Sequence, residues 1–331
     1  MTEQEQNLND ILKAFRIQAQ CVSHTKVRNM SLYGLNLSPG TRIQSLQKFS
    51  EEMALALHAK SKLTFKPITE TGIVQVEVMD DKPHKLDLLT ELKKSSPPSD
   101  YKLPVYLGSS IDGKDIWADF SKNPHMLIAG ATGAGKSVML HTIIANLLLM
   151  SYANVLVVDT KDMEFLPFAK KFRNISIYNT YKLACDVLEY LISEMEFRYG
   201  WLRGDNYTLA DFPPYVLIID EFADLIMQDS DDKLYNLICC LTQKCRAAGI
   251  YCIVATQRPS VDVIKGVIKA NLPARIAFKV SSKTDSRVIL DQNGAELLVG
   301  NGDAIIKNYN NDYVRFQAAF TDAKEVFNAS N

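Results

Sequence analysis

The sequence predicts an α/β fold with a mainly parallel sheet, preceded by a small α+β domain. In the downstream part of the chain, short apolar runs alternate with helical stretches, as expected of strands buried on both faces of a parallel sheet. Upstream, Lys93–Asp100 contains two prolines and three serines, which interrupt the apolar pattern and forbid helix continuation. We therefore predict one domain over residues 1–100, ending in this linker, and a second over residues 101–331.

The first domain is predicted to combine helices and strands. Leu8–Phe15 and Ile43–Ala59 carry apolar residues at helical spacing, so each is predicted as a helix. Pro67 cannot donate a ladder hydrogen bond, so the strand that contains it is predicted to lie at a sheet edge. The predicted strands are Val27–Leu37, Lys62–Ile68 and Ile73–Met79.

The second domain is predicted to begin with a hairpin and to continue as alternating strands and helices. The pair Asp112–Gly113 lies between the short apolar runs Leu103–Gly108 and Lys114–Phe120, which is a hairpin signal. The buried strands are predicted at His125–Ala129, Val155–Val158, Val216–Ile219, Tyr251–Ala255 and Arg275–Val280. The helices between them are predicted at Ser137–Met150, Tyr181–Tyr199 and Lys233–Ala248.

Charge and cysteine content exclude several classes of protein. The 331 residues carry 37 Lys and Arg against 38 Asp and Glu, so the chain is neither a uniformly basic coat protein nor an acidic tail. The six cysteines form no CxxC pair and are predicted to be reduced, mostly buried thiols. Met1–Asp10 is polar and acidic, and the longest apolar stretch, Val138–Met150, is too short to cross a bilayer. We expect a cytoplasmic protein without membrane insertion.

A complete GxxxxGK[ST] motif lies between the first predicted buried strand and its helix, which is the context of a phosphate-binding loop. Its glycines let backbone amides close around phosphate oxygens, and the helix amino terminus adds partial positive charge. Lys136 is predicted to reach the β and γ phosphates, and the Ser137 hydroxyl to ligate Mg²⁺. The predicted nucleotide-binding residues are Gly130, Ala131, Thr132, Gly133, Ala134, Gly135, Lys136, Ser137 and Val138.

Polar residues follow two further predicted strands. Asp220 is predicted to hold Mg²⁺ and Glu221 to polarise the attacking water, although an acidic strand end is often a solvated turn or a helix cap. Thr256 and Gln257 are predicted to sense the γ phosphate, with a simple polar loop start as the alternative. Because the sequence contains no NKxD tetrapeptide, ATP is the expected nucleotide.

A basic segment follows the last of these residues. Between Val263 and Arg287 there are six cations and one acid, Asp285, in a chain whose net charge is −1. Such a local excess can bind a phosphate backbone, but a solvated charged surface is the usual alternative. The cations are Lys265, Lys269, Arg275, Lys279, Lys283 and Arg287.

Three segments together resemble the motor domain of the FtsK/SpoIIIE family of DNA translocases. They are PHMLIAGATGAGKSV at residues 124–138, LIIDEFADLIM at residues 217–227, and the run from ATQRPSVD to GNGDA at residues 255–304. The resemblance is close over residues 104–318, and residues 20–80 resemble the smaller α module of that family more loosely. It implies a RecA-like P-loop NTPase fold and a hexameric ring that threads double-stranded DNA.

The resemblance also implies roles for particular residues. In such a ring an arginine of one subunit completes the active site of its neighbour, and Arg246 is the candidate, ahead of Arg275 and Arg287. Residues facing the DNA channel are expected to be Arg258, Lys265, Lys269 and Lys283. The sequence shows neither the membrane spans nor the winged-helix module of full-length family members.

We therefore predict an ATP-dependent double-stranded DNA translocase that acts as a ring-shaped motor with ATP and Mg²⁺. The catalytic candidates are Lys136, Glu221, Arg246 and Gln257. Two alternatives stay open: a DNA-packaging or conjugative coupling ATPase, and a nucleotide-gated DNA clamp that does not translocate continuously.

Overall fold

The computed structural model describes residues 2–27, 30–59, 63–68, 71–79, 85–150, 152–161, 164–204, 206–308, 310–321 and 326–327. It divides into two compact units, Met1–Lys85 with Ile111–Lys114, and Leu86–Ser110 with Asp115–Asn331. The division thus precedes the Pro/Ser segment that was predicted to end the first domain. The reason is that Leu86 and Leu88 are buried in the core of the second unit, so a short helix anchors this segment there.

The first unit contains a four-stranded antiparallel sheet in the order β1-β2-β4-β3. Strand β3 lies at the edge, as predicted from Pro67. The described elements are α1 (Glu3–Ala14), β1 (Ala19–Val27), β2 (Met30–Leu37), α2 (Ile43–Lys48), α3 (Ser50–Ala56), β3 (Thr64–Ile68) and β4 (Ile73–Met79).

Three details of this unit differ from the sequence prediction. The predicted helix Ile43–Ala59 is broken at Phe49, whose ring stacks on Phe15 with centroids 5.2 Å apart. Helix α1 begins before Leu8, because Thr2 and Glu5 form a capping box at its amino terminus. The predicted strand Val27–Leu37 is divided between β1 and β2, and residues 28–29 lie outside the described residues.

The second unit is built on a mixed sheet, in which ten strands are described in the order β6-β5-β14-β13-β12-β7-β11-β10-β8-β9. Neighbours from β12 to β9 are parallel, and those from β6 to β12 are antiparallel. The strands are β5 (Pro104–Ser110), β6 (Asp115–Asp119), β7 (His125–Ala129), β8 (Asn154–Val158), β9 (Ile175–Tyr178), β10 (Tyr215–Ile219), β11 (Ile250–Thr256), β12 (Ala274–Phe278), β13 (Asp303–Lys307) and β14 (Tyr313–Ala318). The helices are α4 (Leu88–Lys94), α5 (Lys136–Met150), α6 (Leu166–Lys171), α7 (Tyr181–Leu202), α8 (Phe222–Ile226), α9 (Lys233–Lys244), α10 (Gly266–Asn271) and α11 (Lys283–Leu290).

The predicted α/β class and the burial of the central strands on both faces are confirmed. Successive residues of one strand enter two different hydrophobic clusters: Ile218 packs in one, and Leu217 and Ile219 pack in the other. Because side chains alternate across a strand, this division shows that helices cover both faces of the sheet. The predicted helix Lys233–Ala248 is shorter than expected, since α9 ends at Lys244 and a 3-10 turn, Cys245–Ala248, follows.

The strands β9, β13 and β14 were not predicted, because they are short and carry polar residues among apolar ones. In the part of the chain that the structure describes, no helix is both long enough and apolar enough to span a membrane.

Candidate active site at the carboxyl edge of the parallel strands

The sheet register brings the predicted phosphate loop and the predicted catalytic residues to one edge. Thr256, the last residue of β11, pairs with Ala129 at the end of β7. On its other side β11 pairs with β10, whose last residue, Ile219, lies opposite Val254. The segments that follow these strands therefore emerge side by side, at the edge where α/β proteins bind ligands.

The phosphate loop joins β7 to α5 and is held by backbone hydrogen bonds. The amide of Gly130 donates to the Thr256 carbonyl at 3.3 Å, and that of Ala131 donates to the Lys279 carbonyl at 2.8 Å. Gly133 and Gly135 have φ angles of 75° and 122°, which favour glycine. The loop is therefore anchored to β11 and to the residue after β12, and its conformation depends on glycine.

Lys136 and Asp220 form a buried ion pair at the centre of the site. The Lys136 ammonium donates to a carboxylate oxygen of Asp220 at 2.5 Å and to its backbone carbonyl at 2.7 Å. The two side chains are 3% and 2% exposed, so neither charge is compensated by bulk water. Phosphate oxygens that enter this loop would compete with Asp220 for the same ammonium group.

Glu221 is fixed by donors from the end of β11. Its carboxylate accepts the Thr256 hydroxyl at 2.7 Å and the Gln257 amide at 3.1 Å from each oxygen. The Gln257 side chain in turn accepts the hydroxyl of Thr132, in the phosphate loop, at 2.6 Å. A continuous hydrogen-bonded path thus links the loop to the carboxylate that is predicted to polarise water.

The donors at this edge fit a hard divalent cation. The Ser137 hydroxyl has no hydrogen-bond partner within the described ranges, and Asp220 offers a buried carboxylate that contacts Lys136, the residue before Ser137. Hydroxyl and carboxylate oxygens are the ligands that Mg²⁺ takes next to nucleotide phosphates. These two residues are therefore the ones that could hold Mg²⁺.

A further carboxylate at this edge, that of Asp159, was missed in the sequence. Asp159 follows β8, which pairs with β10, and the Asp220 amide donates to the Val158 carbonyl at 3.1 Å. The Asp159 side chain is fully buried and accepts the backbone amides of Lys161 and Glu164 at 3.1 and 3.3 Å. The same signal that identified Asp220, an apolar run ending in a carboxylate, was present at Val155–Asp159.

Near these acids, burial lowers the pKa of His141, despite the opposing effect of Glu164. The imidazole lies edge-on to the Phe165 ring at 5.1 Å and one helical turn beyond Ser137 on α5. We expect it to be neutral at physiological pH.

Arg246 does not join this cluster, because it lies at the opposite edge of the sheet. It belongs to the 3-10 turn that precedes β11, whereas Thr256 ends that strand. A strand rises about 3.3 Å per residue, so the length of β11 separates the two positions by roughly 20 Å. The Arg246 side chain is exposed, and no described residue offers it a hydrogen bond or an ion pair.

The two other arginines considered for that role are engaged within the chain. Arg275 is buried and donates to Asp291 and to the Ile289 carbonyl, at 2.5 and 3.1 Å. Arg287 donates to the Asn293 side chain at 2.9 Å.

The predicted DNA-contacting residues occupy different environments. Arg258 is exposed directly after Gln257, and Lys283 is exposed at the start of α11 with no partner among the described residues. Lys265 pairs with Asp232 at 3.1 Å. Lys269 was expected to face the DNA channel, but its ammonium contacts the carboxylate of Asp291 at 2.7 Å and is therefore less accessible to DNA.

Asp291 is the centre of a cation network. Its carboxylate also contacts Arg275 at 2.5 Å and Lys307 at 2.8 Å, so three cations share one acid. Partial burial alone would raise the pKa of Asp291, but hydrogen bonds from Lys269 and Lys307 and the charge of Arg275 hold it well below its usual range. The network ties α10, β12 and β13 to the end of α11.

All six cysteines are free thiols, and all but Cys240 are buried. Cys245, Cys252 and His125 bring potential metal ligands within 4.8 Å of one another. His125 Nδ1, however, accepts the backbone amide of Cys252 at 3.1 Å, so Nε2 must carry the proton of the neutral ring. Metal-bound histidines instead donate their second nitrogen, so the hydrogen bonding opposes a metal here.

The glycine-rich loop, the buried Lys136–Asp220 pair and Glu221 at the carboxyl edge of a mainly parallel sheet define a P-loop ATPase. Comparison with family profiles then identifies the family of P-loop ATPases to which the chain belongs. The FtsK/SpoIIIE family profile matches residues 89–211 and 205–261, and the FtsK alpha domain profile matches residues 1–80. The chain belongs to the FtsK/SpoIIIE family, which confirms the resemblance seen in the sequence.

Curated relatives extend this similarity over nearly the whole chain. The DNA translocase SftA of Bacillus subtilis is 37% identical over 344 residues, covering 98% of this chain and 36% of that protein. The DNA translocase FtsK of Haemophilus influenzae is 33% identical over 381 residues, covering 99% of this chain and 70% of that protein. The chain spans less than half the length of most of these relatives, for example 44% of the Borreliella burgdorferi FtsK.

Solved structures share the fold. The pCW3 conjugation coupling protein TcpA, in a monomer form with ATPγS, superposes with a TM-score of 0.68 at 21% identity over the whole of both chains. The cytoplasmic domain of the Thermomonospora curvata type VII secretion ATPase EccC superposes with a TM-score of 0.65 at 25% identity, covering 74% of this chain and 34% of that one.

Proposed function

We propose that this chain is an ATP-driven motor that moves along double-stranded DNA as a hexameric ring. The relatives named DNA translocase support the reaction class. The observation that carries the proposal is the Thr256–Gln257–Arg258 junction. It contacts Glu221 and Thr132 at the nucleotide site, and only residues 259–262 separate it from the basic segment.

Nucleotide binding would begin with an exchange of partners. The Lys136 ammonium would move from Asp220 to the β and γ phosphates, and backbone amides of the loop would surround the same oxygens. Asp220 and Ser137 would then be available to hold Mg²⁺. When bound, that ion supplies positive charge next to the phosphate oxygens.

Glu221 would position the attacking water and accept its proton. The three hydrogen bonds from Thr256 and Gln257 restrict the carboxylate to one orientation, which lowers the entropic cost of reaching the transition state. Arg246 would act on the active site of the neighbouring subunit, because it is exposed and far from its own phosphate loop. An arginine supplied in trans commonly accelerates phosphoryl transfer by about 10³-fold or more.

Loss of the γ phosphate would be transmitted through Gln257. Its side chain contacts the phosphate loop through Thr132, and its backbone contacts Glu221, so a change at either site alters the start of the segment that leads to Arg258 and Lys283. The Lys279 carbonyl, bonded to Ala131, provides a second connection between the loop and this segment. Contacts to DNA phosphates by these cations would hold the duplex without reading its sequence.

An ATPase assay with and without duplex DNA tests the proposal. We expect turnover to rise with DNA, and to be abolished by Lys136→Ala and by Glu221→Gln in correctly folded protein. Glu196→Gln, an exposed acid on α7, is the matched control and should leave turnover unchanged. ATP hydrolysis that is indifferent to DNA would refute the motor.

Displacement of a bound protein obstacle from DNA distinguishes the motor from the alternatives. The motor should displace it without a partner protein. A packaging or coupling ATPase would need its partner, and a nucleotide-gated clamp would bind DNA with ATP without displacing the obstacle. Electron microscopy with duplex DNA and a slowly hydrolysed ATP analogue should show six subunits, and monomers under these conditions would contradict the ring.

A further inference from the structure

A cleft of about 460 Å³ opens at the edge of the sheet opposite the phosphate loop. Its walls include Met126 near the start of β7, Ala274 at the start of β12, and Arg246 just before β11. These positions are the amino ends of parallel strands. The cleft is therefore a second polar site of this unit, separate from the nucleotide site.

The side chains around the cleft suit an anionic ligand. Arg246 and Lys122 supply two cations, and no acidic residue is among the residues that line it. Tyr101 and Trp117 form an aromatic wall, and the Lys122 ammonium lies 4.5 Å from the centre of the Tyr101 ring.

Lys122 is held by an interaction that a phosphate can replace. Its ammonium forms an ion pair with Asp100, and the two side chains are 46% and 70% exposed. An ion pair between exposed side chains contributes little to stability, because water solvates the separated charges well. A phosphate oxygen carries more charge than one carboxylate oxygen and is the stronger acceptor for the same donor.

We propose that Lys122 is a second cation that one subunit supplies, together with Arg246, to the nucleotide phosphates of its neighbour. The proposal rests on the ring described above. Arg246 and Lys122 line the same cleft. A triphosphate whose oxygens contact Arg246 would therefore also lie near Lys122. The guanidinium provides a planar pair of donors and the ammonium a mobile point charge, which suits neighbouring oxygens of a triphosphate.

Asp100 then acts as a resting partner for Lys122. While the neighbouring site holds no triphosphate, the carboxylate neutralises the ammonium. When the phosphates enter, they displace Asp100. The sequence predicted the segment that carries Asp100 only as a linker, and the ion pair with Lys122 would add this second role.

Subunit mixing tests the proposal on the full chain. Lys122→Ala should lower DNA-stimulated turnover by about 100-fold, the lower end of the range for removing one charge-stabilising donor, because Arg246 remains. Lys136→Ala subunits are inactive but retain Lys122. In an equal mixture, roughly one interface in four joins an intact phosphate loop to an intact Lys122 across a head-to-tail contact. We therefore expect the mixture to exceed the mean turnover of the two separate preparations.

A parallel mixture separates failure of this proposal from failure of the ring. Arg246→Ala mixed with Lys136→Ala should be rescued in the same way. If the Arg246 mixture is rescued and the Lys122 mixture is not, the role of Lys122 is overturned. If neither is rescued, the ring with a trans arginine is overturned as well.

Two single variants complete the design. Lys102→Ala removes an exposed lysine of the same segment that does not line the cleft, and it should keep full turnover. Lys122→Arg keeps the positive charge and should retain most of the turnover. A Lys122→Ala variant with weaker, less salt-dependent DNA binding and full turnover at saturating DNA would assign the residue to DNA contact instead.

Discussion

The hydroxyl of Thr256 provides the sharpest test of how the catalytic carboxylate is positioned. Thr256→Val keeps the shape of a fully buried side chain and removes the 2.7 Å hydrogen bond to Glu221. It also removes the acceptor of the Arg258 amide, which lies 3.0 Å away. The change therefore loosens Glu221 and the start of the basic segment without opening a cavity.

The size of the effect follows from the remaining contacts. A hydrogen bond to a charged group contributes about 1.5–3 kcal/mol, and Glu221 keeps the Gln257 amide, so the lower half of this range applies. If half or more of that free energy positions the carboxylate in the transition state, kcat falls by about 4- to 45-fold. The KM for ATP should change little, because Thr256 contacts the phosphate loop through its backbone carbonyl, which accepts the Gly130 amide and which the substitution keeps.

Steady-state ATPase kinetics at saturating DNA measure this effect, with thermal unfolding measured in parallel. Thr142→Val is the matched control, since Thr142 is fully buried and its hydroxyl contacts Ala319 and Thr321 rather than Glu221. The control should lose stability with unchanged kcat. If Thr256→Val also retains wild-type kcat, Glu221 is not positioned by β11 and the proposed coupling path is refuted.

Three further predictions test other parts of the structure. In Gly130→Ala, the new Cβ would lie 2.5 Å from the Cβ of Phe278, so the phosphate loop must shift and nucleotide affinity, measured by titration, should fall at least about 10-fold. Gly200→Ala lies on open helix surface and should instead keep the nucleotide affinity. It should raise the free energy of unfolding, measured with denaturant, by about 0.5–1 kcal/mol. Asp291→Asn leaves three cations without their acid and should lower the free energy of unfolding by about 1–3 kcal/mol at neutral pH. This is less than the loss for a fully buried ion pair, because Asp291 is 46% exposed. Because the pKa of Asp291 is lowered in the folded state, this difference should be complete above about pH 4 and shrink as the pH falls further, and an undiminished difference at low pH would contradict the network. Lys283→Ala should weaken DNA binding and reduce its salt slope by about one, whereas an unchanged slope would remove this lysine from the DNA contacts.

The functional residues that lie next to one another in the chain could be predicted without the structure. The phosphate loop is one continuous segment between a strand and a helix, and Asp220–Glu221 directly follows an apolar run. Their chemistry depends on local backbone geometry and on strand ends, both of which leave a readable pattern. The α/β class was predictable for the same reason, because buried parallel strands are apolar throughout.

Other relationships depended on the order of strands in the sheet. Asp159 lies beside Asp220 because β8 pairs with β10, and Thr256 lies beside Glu221 because β11 pairs with the other edge of β10. The chain positions of these strands do not reveal that order. Hydrogen-bonded pairing and burial of both sheet faces select it only in the folded molecule.

The sequence by itself determined the phosphate loop, the acidic strand end, the basic segment and the family. Only the tertiary structure decided which charges are available: Asp291 engages Lys269 and Arg275, while Arg246 remains exposed at the far edge beside Lys122. The physical reason is that a charged side chain acts through its partners and its distance to a ligand. Both are set by contacts between residues far apart in the chain.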